Sequence, residues 1–275
     1  MLRIGYHVSI AKGLDLAFDR AKAVGCTAMQ LFVSNPRGWS VDRPGAAVEK
    51  AFSAKRREFD IVPVAHMPYL PNLASSNPMI SSRSILSLRS NLSSCNSLGI
   101  GYLVAHLGSH MGNGKEKGIS NIIDALDRVA DDVGSVRILL ENQAGHRNSI
   151  GADLNDLSEI HDRASIARAG KLGFCLDTCH LFAAGYDIRK ADAIDVIKKD
   201  IGLNLVHVLH MNDAKFELGS GKDRHENIGF GLIGREGFRV FLANGEIRKK
   251  VLILETPANA ELKPGYELRI LKGMA

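Results

Sequence analysis

Three observations predict that this chain folds as a single (β/α)8 TIM barrel. A short apolar run rich in β-branched residues, a loop and a segment of helical periodicity recur eight times along the 275 residues. The apolar runs are almost uninterrupted, as expected for a parallel sheet covered on both faces. No Gly-x-Gly-x-x-Gly motif follows the first run, which removes the main signal of an open dinucleotide-binding sheet. We therefore expect one α/β barrel domain spanning residues 1–275.

The predicted elements alternate regularly between strands and helices. Strands are expected at 4–8, 28–33, 62–66, 102–106, 138–141, 173–177, 205–210 and 251–255. Helices are expected near 13–24, 46–58, 79–97, 117–133, 153–168, 190–200, 235–243 and 265–273.

The overall composition is that of a soluble globular protein. The apolar content is 45%, and no apolar run approaches the roughly 18 residues that a membrane span needs. The start of the chain does not read as a signal peptide, and the four cysteines are scattered, so we expect reduced thiols and a cytoplasmic location. A net charge of +5 permits an anionic partner such as nucleic acid.

Six predicted strands end on a side chain that can bind a metal ion. Any one of these alone would be an ordinary hydrogen-bonding group. Only 10 His and 30 Asp or Glu occur in the chain, so six such strand ends by chance are improbable. The carboxyl ends of barrel strands surround one mouth, where the active sites of this fold lie. The six residues are His66, His106, Glu141, Asp177, His210 and Glu255.

Three more residues of the same kind lie nearby in the chain. His180 follows Asp177 by three residues, while Asp223 and His225 stand at i and i+2 and would face the same side of an extended segment. The combined five imidazoles and four carboxylates suit Zn, Mn or Fe rather than a structural cysteine site. Nine ligands exceed the needs of one tetrahedral ion and predict a bridged cluster of two or three. Such clusters hold the attacking and leaving oxygens in phosphodiester hydrolysis.

The motifs resemble those of endonuclease IV, the zinc-dependent apurinic/apyrimidinic endonuclease family, over essentially the whole chain. The strongest segments are Cys-Leu-Asp-Thr-Cys-His-Leu-Phe-Ala-Ala-Gly-Tyr-Asp at 175–187, His-Met-Asn-Asp-Ala-Lys at 210–215 and Asp-Arg-His-Glu-Asn-Ile-Gly-Phe-Gly at 223–231. Leu-Glu-Asn at 140–142, His-Leu-Gly-Ser-His at 106–110 and Leu-Glu-Thr-Pro at 254–257 support them. The segment 143–147 departs from the family pattern and leaves substrate preference open.

The resemblance implies three zinc ions per chain, with Mn or Fe as alternatives at some positions. His66, His106 and Glu141 would hold the first ion; Glu141, Asp177, His210 and Glu255 the second; His180, Asp223 and His225 the third. A bridging water or hydroxide would attack the phosphorus 5′ to an abasic site, leaving a 3′-hydroxyl and a 5′-deoxyribose phosphate. Glu141 would be the catalytic residue that manages the proton, and trimming of blocked 3′ ends is implied as well.

The resemblance also implies that double-stranded DNA is bent and the abasic nucleotide flipped out. Arg37, in the loop after the second strand, and Tyr69 with Leu70, after the third, match the family's DNA-contacting positions. An arginine, an aromatic ring and a leucine can wedge between bases, and a damaged site costs least to open. Packing within the loop is the other interpretation of Tyr69 and Leu70. We expect a monomer.

Two other functions remain possible at this point. A metal-dependent sugar isomerase or epimerase on the same barrel would also use strand-end His, Asp and Glu, but it needs no third ion. A non-catalytic protein that binds damaged DNA would be expected to have lost part of the ligand set, which is intact here.

Overall fold

Eight parallel strands form a closed barrel in the computed structural model, which describes residues 2–35, 38–39 and 43–275. The strands are β1 Arg3–Tyr6, β2 Ala28–Phe32, β3 Val62–His66, β4 Tyr102–His106, β5 Arg137–Glu141, β6 Leu172–Asp177, β7 Val206–His210 and β10 Val251–Leu254, and β8 Asp213–Ala214 pairs antiparallel with β9 His225–Glu226. The sheet order is β1-β10-β7-β6-β5-β4-β3-β2. A bridge between His7 and Gln30 and a hydrogen bond from the Val8 amide to the Gln30 carbonyl (2.8 Å) join β1 to β2.

Helices surround this sheet and alternate with its strands, which confirms the predicted TIM barrel. They are α1 Leu16–Ala23, α2 Ala46–Phe59, α3 Pro78–Leu98, α4 Lys115–Asp127, α5 Leu154–Arg163, α6 Ser165–Arg168, α7 Thr178–Ala184, α8 Ala193–Ile201, α9 Gly234–Leu242 and α10 Tyr266–Met274. Short 3₁₀ turns lie at Ala130–Asp132, Leu203–Leu205 and Ile247–Lys249. Within the described ranges, no helix combines the length and the apolar character that crossing a membrane requires.

The ends of α3 show how local sequence sets a helix boundary. The Asn77 side chain accepts hydrogen bonds from the amides of Met79 (3.0 Å) and Ile80 (3.2 Å), and Pro78 occupies the first helical position. At the other end Gly99 adopts a left-handed φ of 68°, which terminates the helix. These caps hold the segment that follows β3 and leads to β4.

Several cations at the amino-terminal end of the barrel stabilise carbonyls that follow helices. Positive charge is favourable there because carbonyl groups at helix C-termini lack partners and carry partial negative charge. Part of the chain's positive charge thus stabilises the fold. The donors are Arg137 to Gly170 (2.8 Å), Lys250 to Leu203 (2.6 Å), Lys272 to Gly25 (2.9 Å) and Arg56 to Gly99.

Alternation along the strands places an apolar layer below a polar one inside the barrel. Successive side chains of a strand point to opposite faces, so residues two apart share the interior. The buried interior cluster contains Ala28, Val64, Val104, Leu139, Cys175, Val208, Val251 and Ile253. Two residues beyond six of these stand His66, His106, Glu141, Asp177, His210 and Glu255. The same period that fills the core therefore directs the predicted ligands to the mouth.

One predicted helix is divided in the structure, and one observed helix was not predicted. The segment 153–168 is not one helix, because Ala164 has an extended ψ of 133° and separates α5 from α6. The helix α7 was not predicted at all, although it begins directly after β6. Asp177 caps it by accepting a hydrogen bond from the His180 amide at 2.9 Å.

Candidate metal centre

The first group of candidate ligands lies at the ends of three neighbouring strands, β3, β4 and β5. Both imidazoles point their Nε2 atoms at one carboxylate oxygen: His66 Nε2 lies 3.1 Å and His106 Nε2 3.0 Å from Glu141 Oε2. His66 and Glu141 are buried, whereas His106 is partly exposed. The three ligand atoms lie within 4.8 Å of one another, close enough for one ion.

The second group shares Glu141 with the first but uses its other oxygen. His210 Nδ1 lies 3.1 Å from Glu141 Oε1, 3.2 Å from Glu255 Oε2 and 3.8 Å from Asp177 Oδ2. Glu141, Asp177, His210 and Glu255 together form a set that could hold an ion. Because its two oxygens face different groups, Glu141 has the geometry of a bridging carboxylate.

The third group combines a residue of α7 with the segment before and within β9. Asp223 lies between two imidazoles, with its Oδ2 3.2 Å from His180 Nε2 and its Oδ1 3.4 Å from His225 Nε2. Asp177 Oδ2 is also 3.4 Å from His225 Nε2 and links this group to the second. The structure therefore brings together all nine sequence-predicted ligand candidates at one mouth.

Hydrogen bonds to the second ring nitrogen orient the histidines as metal ligands are oriented. Nδ1 of His66 lies 2.6 Å from the Met67 carbonyl, Nδ1 of His180 2.9 Å from the Asn142 carbonyl and Nδ1 of His225 3.2 Å from the Glu255 carbonyl. A ring that donates from Nδ1 turns its Nε2 towards the carboxylates, and Nε2 is then the atom with which it would bind an ion. Although Asp223 oxygens lie 3.2 and 3.4 Å away, the buried Nε2 atoms of His180 and His225 form no hydrogen bond within the described chain.

The carboxylates and imidazoles in this pocket shift one another's pKa values. Burial opposes ionisation of Glu141, but His106 and His210 outweigh it and hold the pKa of Glu141 well below its usual range. At His180, Asp177 and Asp223 likewise outweigh burial and raise the pKa to about 10. The pKa of Asp223 falls to about 2 despite its burial, because His180 stabilises the carboxylate. Together with the ring orientations and the unpartnered nitrogens, this crowding of carboxylates shows that the residues fit the binding of a divalent metal ion.

Two polar residues that support this site were not predicted from the sequence. Gln30 Oε1 accepts from His210 Nε2 (2.8 Å), while Gln30 Nε2 donates to Glu255 Oε1 (2.6 Å). Asn212 Nδ2 donates to Asp177 Oδ2 (2.6 Å), and the Asn212 Oδ1 atom accepts from the Glu255 amide (2.9 Å). No local pattern marks them, since each is one amide within an apolar strand or a polar loop.

A cysteine also lies next to the third group. The Cys179 sulfur and one possible ligand atom each of Asp223 and His225 lie within 4.8 Å of one another. Burial, reinforced by Asp177, raises the pKa of Cys179, and its thiol donates to the Arg224 carbonyl at 3.5 Å. The thiol form is thus favoured, and imidazoles with carboxylates remain the better ligand set.

The predicted DNA-contacting residues lie beside the first group as far as the structure describes them. The Tyr69 ring centroid is 5.9 Å from that of His66 and 6.0 Å from that of His106, yet Tyr69 is 62% exposed. Leu70 is 43% exposed. Arg37 lies outside the described residues. At the edge of the mouth, the exposed side chains of Tyr69 and Leu70 can contact a bound ligand or pack within their own loop.

Known proteins resemble this chain in both sequence and fold. The family model of the xylose isomerase-like TIM barrel matches residues 18–273. The chain is 45% identical to a probable endonuclease 4 of Methanoculleus marisnigri and 42% identical to one of Cenarchaeum symbiosum, with 94% of each chain covered in both cases.

Solved structures also match the fold of this chain. The endonuclease IV of Thermus thermophilus superposes with a TM-score of 0.87 at 34% identity, covering 99% of this chain and 98% of that one. A D-tagatose 3-epimerase-like protein has a TM-score of 0.77 at 20% identity, covering 99% and 97%, which shows a shared fold alone.

Proposed function

Because this chain belongs to the endonuclease IV family, we propose that it is a DNA-repair endonuclease that hydrolyses the phosphodiester bond 5′ to abasic sites in duplex DNA. The products would be a 3′-hydroxyl and a 5′-deoxyribose phosphate. Removal of blocked 3′ ends would use the same site, since it breaks the same kind of bond. The whole chain would act as one domain, as a cytoplasmic monomer.

The observation that carries this proposal is the position of Glu141 between two groups of ligands. One oxygen faces His66 and His106, and the other faces His210, at distances of 3.0–3.1 Å. A carboxylate placed in this way can bridge two ions and hold a small reacting group between them. An isolated ion site would not need a carboxylate shared by both groups.

Three zinc ions would be held by the three groups described above. His66, His106 and Glu141 would bind the first; Glu141, Asp177, His210 and Glu255 the second; and His180, Asp223 and His225 the third. When bound, the ions would supply a water-derived nucleophile near neutral pH and neutralise charge on the phosphate. Mn or Fe would be accommodated by the same nitrogen and oxygen ligands.

The protein's own groups would position the reactants. Glu141, placed between the first and second groups, would orient the attacking water and manage its proton. The third group would face the departing 3′ oxygen. Tyr69 and Leu70, with Arg37, would fill the gap left by the flipped nucleotide.

A sugar epimerase is the second candidate because similar barrels include epimerase-like proteins. The third ligand group distinguishes the two functions. His180, Asp223 and His225 converge at 3.2–3.4 Å, and an epimerase that moves a proton has no need of a further ion there. The sequence relatives named above are endonucleases.

The direct test is to measure the metal content of the purified protein together with cleavage of a duplex carrying one abasic analogue. We expect about three zinc ions per chain and a single nick 5′ to the lesion, abolished by chelation and restored by zinc. An intact duplex is the matched control and should remain uncut. One or two ions with no nick would contradict the proposal and favour a sugar substrate.

A further inference from the structure

Asp213, which follows β7 in β8, is a fully buried carboxylate surrounded by backbone amides. Converging N–H groups in a glycine-rich loop usually form a binding site for an external anion such as phosphate. Here the anion is the chain's own carboxylate. The donors are the amides of Ala214 (2.9 Å), Gly229 (2.9 Å), Gly231 (3.1 Å), Ile233 (2.9 Å) and Gly234 (3.2 Å).

The glycines allow this close approach. A Cβ atom at Gly231 would lie 2.5 Å from the Ala214 carbonyl oxygen and 2.6 Å from Asp213 Oδ1, so a larger residue would push the loop away. Gly229 and Gly234 both have positive φ values, 85° and 68°, which other residues rarely adopt. Four amides of the 229–234 loop thus depend on one side chain.

This loop belongs to the same segment as two candidate ligands of the third group. His225 pairs with Ala214 in the β8–β9 ladder, and the Lys215 amide donates to the Arg224 carbonyl at 3.1 Å. The backbone just before Asp213 is itself fixed to the barrel, because the Met211 amide donates to the Ile253 carbonyl (2.7 Å). Asp213 therefore connects the 229–234 loop, which follows the candidate ligands Asp223 and His225 in the chain, to the rigid sheet.

The three ligand groups differ in their dependence on this connection. The candidate ligands of the first two groups stand on or directly after barrel strands. In the third group, Asp223 precedes the short strand β9 and His225 lies in it, and only His180 lies on a helix, α7. Loosening the loop would separate Asp223 from His180 without moving the strand-end residues.

We propose that Asp213 is a positioning residue that sets the affinity of the third metal position selectively, an inference that rests on the proposed function. Replacing Asp213 by Asn would keep one acceptor oxygen but place an NH₂ group against the N–H donors that had bonded to the other oxygen. Loss of an orienting partner of this kind typically weakens metal binding about 10–100-fold. The first two positions would keep their affinity.

The test is a zinc titration against a competing chelator for the wild type, D213N, G231A and D156N. Asp156 is a matched control because it is also a buried carboxylate that accepts a backbone amide, that of Gly151 at 3.2 Å, but it holds a different loop. We expect D213N and G231A to bind two ions normally and the third about 10–100-fold more weakly. D156N should bind all three as the wild type does. G231A disturbs the same loop without changing charge and serves if D213N fails to fold.

A second readout uses the metal-free proteins, compared by amide hydrogen exchange. Gly229, Gly231 and Ile233 should exchange at least about 10-fold faster in D213N than in the wild type, with no change in D156N. Unaltered affinity for the third ion, or equal weakening of all three, would overturn the role of Asp213. Wild-type protein that takes up fewer than three ions would instead contradict the proposed function, and this inference with it.

Discussion

Gln30 and His210 face each other across the mouth of the barrel, with Gln30 Oε1 2.8 Å from His210 Nε2. An amide oxygen can only accept, so His210 donates from Nε2 and presents Nδ1 to Glu141 and Glu255. One residue of β2 thus orients the imidazole of a residue on β7.

Replacing Gln30 by Leu should weaken binding of one zinc ion. The variant keeps a similar volume but loses the acceptor for His210 and the donor to Glu255, so we expect affinity at the second position to fall about 10–100-fold. Zinc titration of the purified variant measures this. Asn91→Leu, which changes a buried amide on α3 away from the mouth, is the control. Equal zinc affinity in Gln30→Leu and the wild type would show that His210 needs no such partner.

Replacing Glu141 by Gln should remove cleavage while retaining recognition of damaged DNA. The neutral amide cannot bridge two cations or accept a proton, and a loss of about 10²–10⁴-fold in kcat is expected for a group of this kind. Single-turnover cleavage and a binding assay on the same abasic duplex measure the two effects separately. Undiminished turnover would eliminate the assigned role.

Replacing Tyr69 by Ala should reduce the preference for abasic over intact duplex. The exposed ring stands beside His66 and His106, where it can stack on bases next to an opened site. Stacking of this kind predicts a loss of about 10-fold in discrimination. Competition binding with the two duplexes measures it, and Val196→Ala, an exposed apolar change on α8, should have no effect. If the preference survives in Tyr69→Ala, the ring serves to pack the loop.

His207 should make the stability of the protein depend on pH. Burial, with Arg137 and Lys250 nearby, lowers the pKa of His207 to about 4, and Arg137 Nη1 donates to its Nε2 at 2.8 Å. An unfolded chain binds this proton near pH 6.5, so the contribution is complete above that pH and is lost as the pH falls towards 4.

We expect denaturant titrations to show that His207→Gln loses less stability than the wild type between pH 6.5 and 4, by on the order of 1 kcal/mol, since the side chain is only partly buried. His161→Gln is the control. Parallel pH profiles for His207→Gln and the wild type would contradict the assignment.

The fold and most of the candidate site could be predicted because both depend on local periodicity. Alternation by two along a strand decides which side chains face the interior, so an apolar residue such as Val64 and the following His66 are readable together. The helix α7 could not be predicted in this way, since its seven residues are too few for a clear helical period and Asp177, its cap, is also the last residue of β6.

What the sequence by itself determined is the barrel, the mouth and the identity of nine candidate ligands, each through its own strand, loop or motif. Only the tertiary structure decided which oxygen of Glu141 faces which imidazole and which nitrogen each histidine presents. It also showed that Gln30 lies against His210, 180 positions away, and that Asp213 accepts hydrogen bonds from the amides of the 229–234 loop. The reason is physical: periodicity acts between neighbours in the chain, whereas a hydrogen-bond partner is chosen by packing that brings distant segments together.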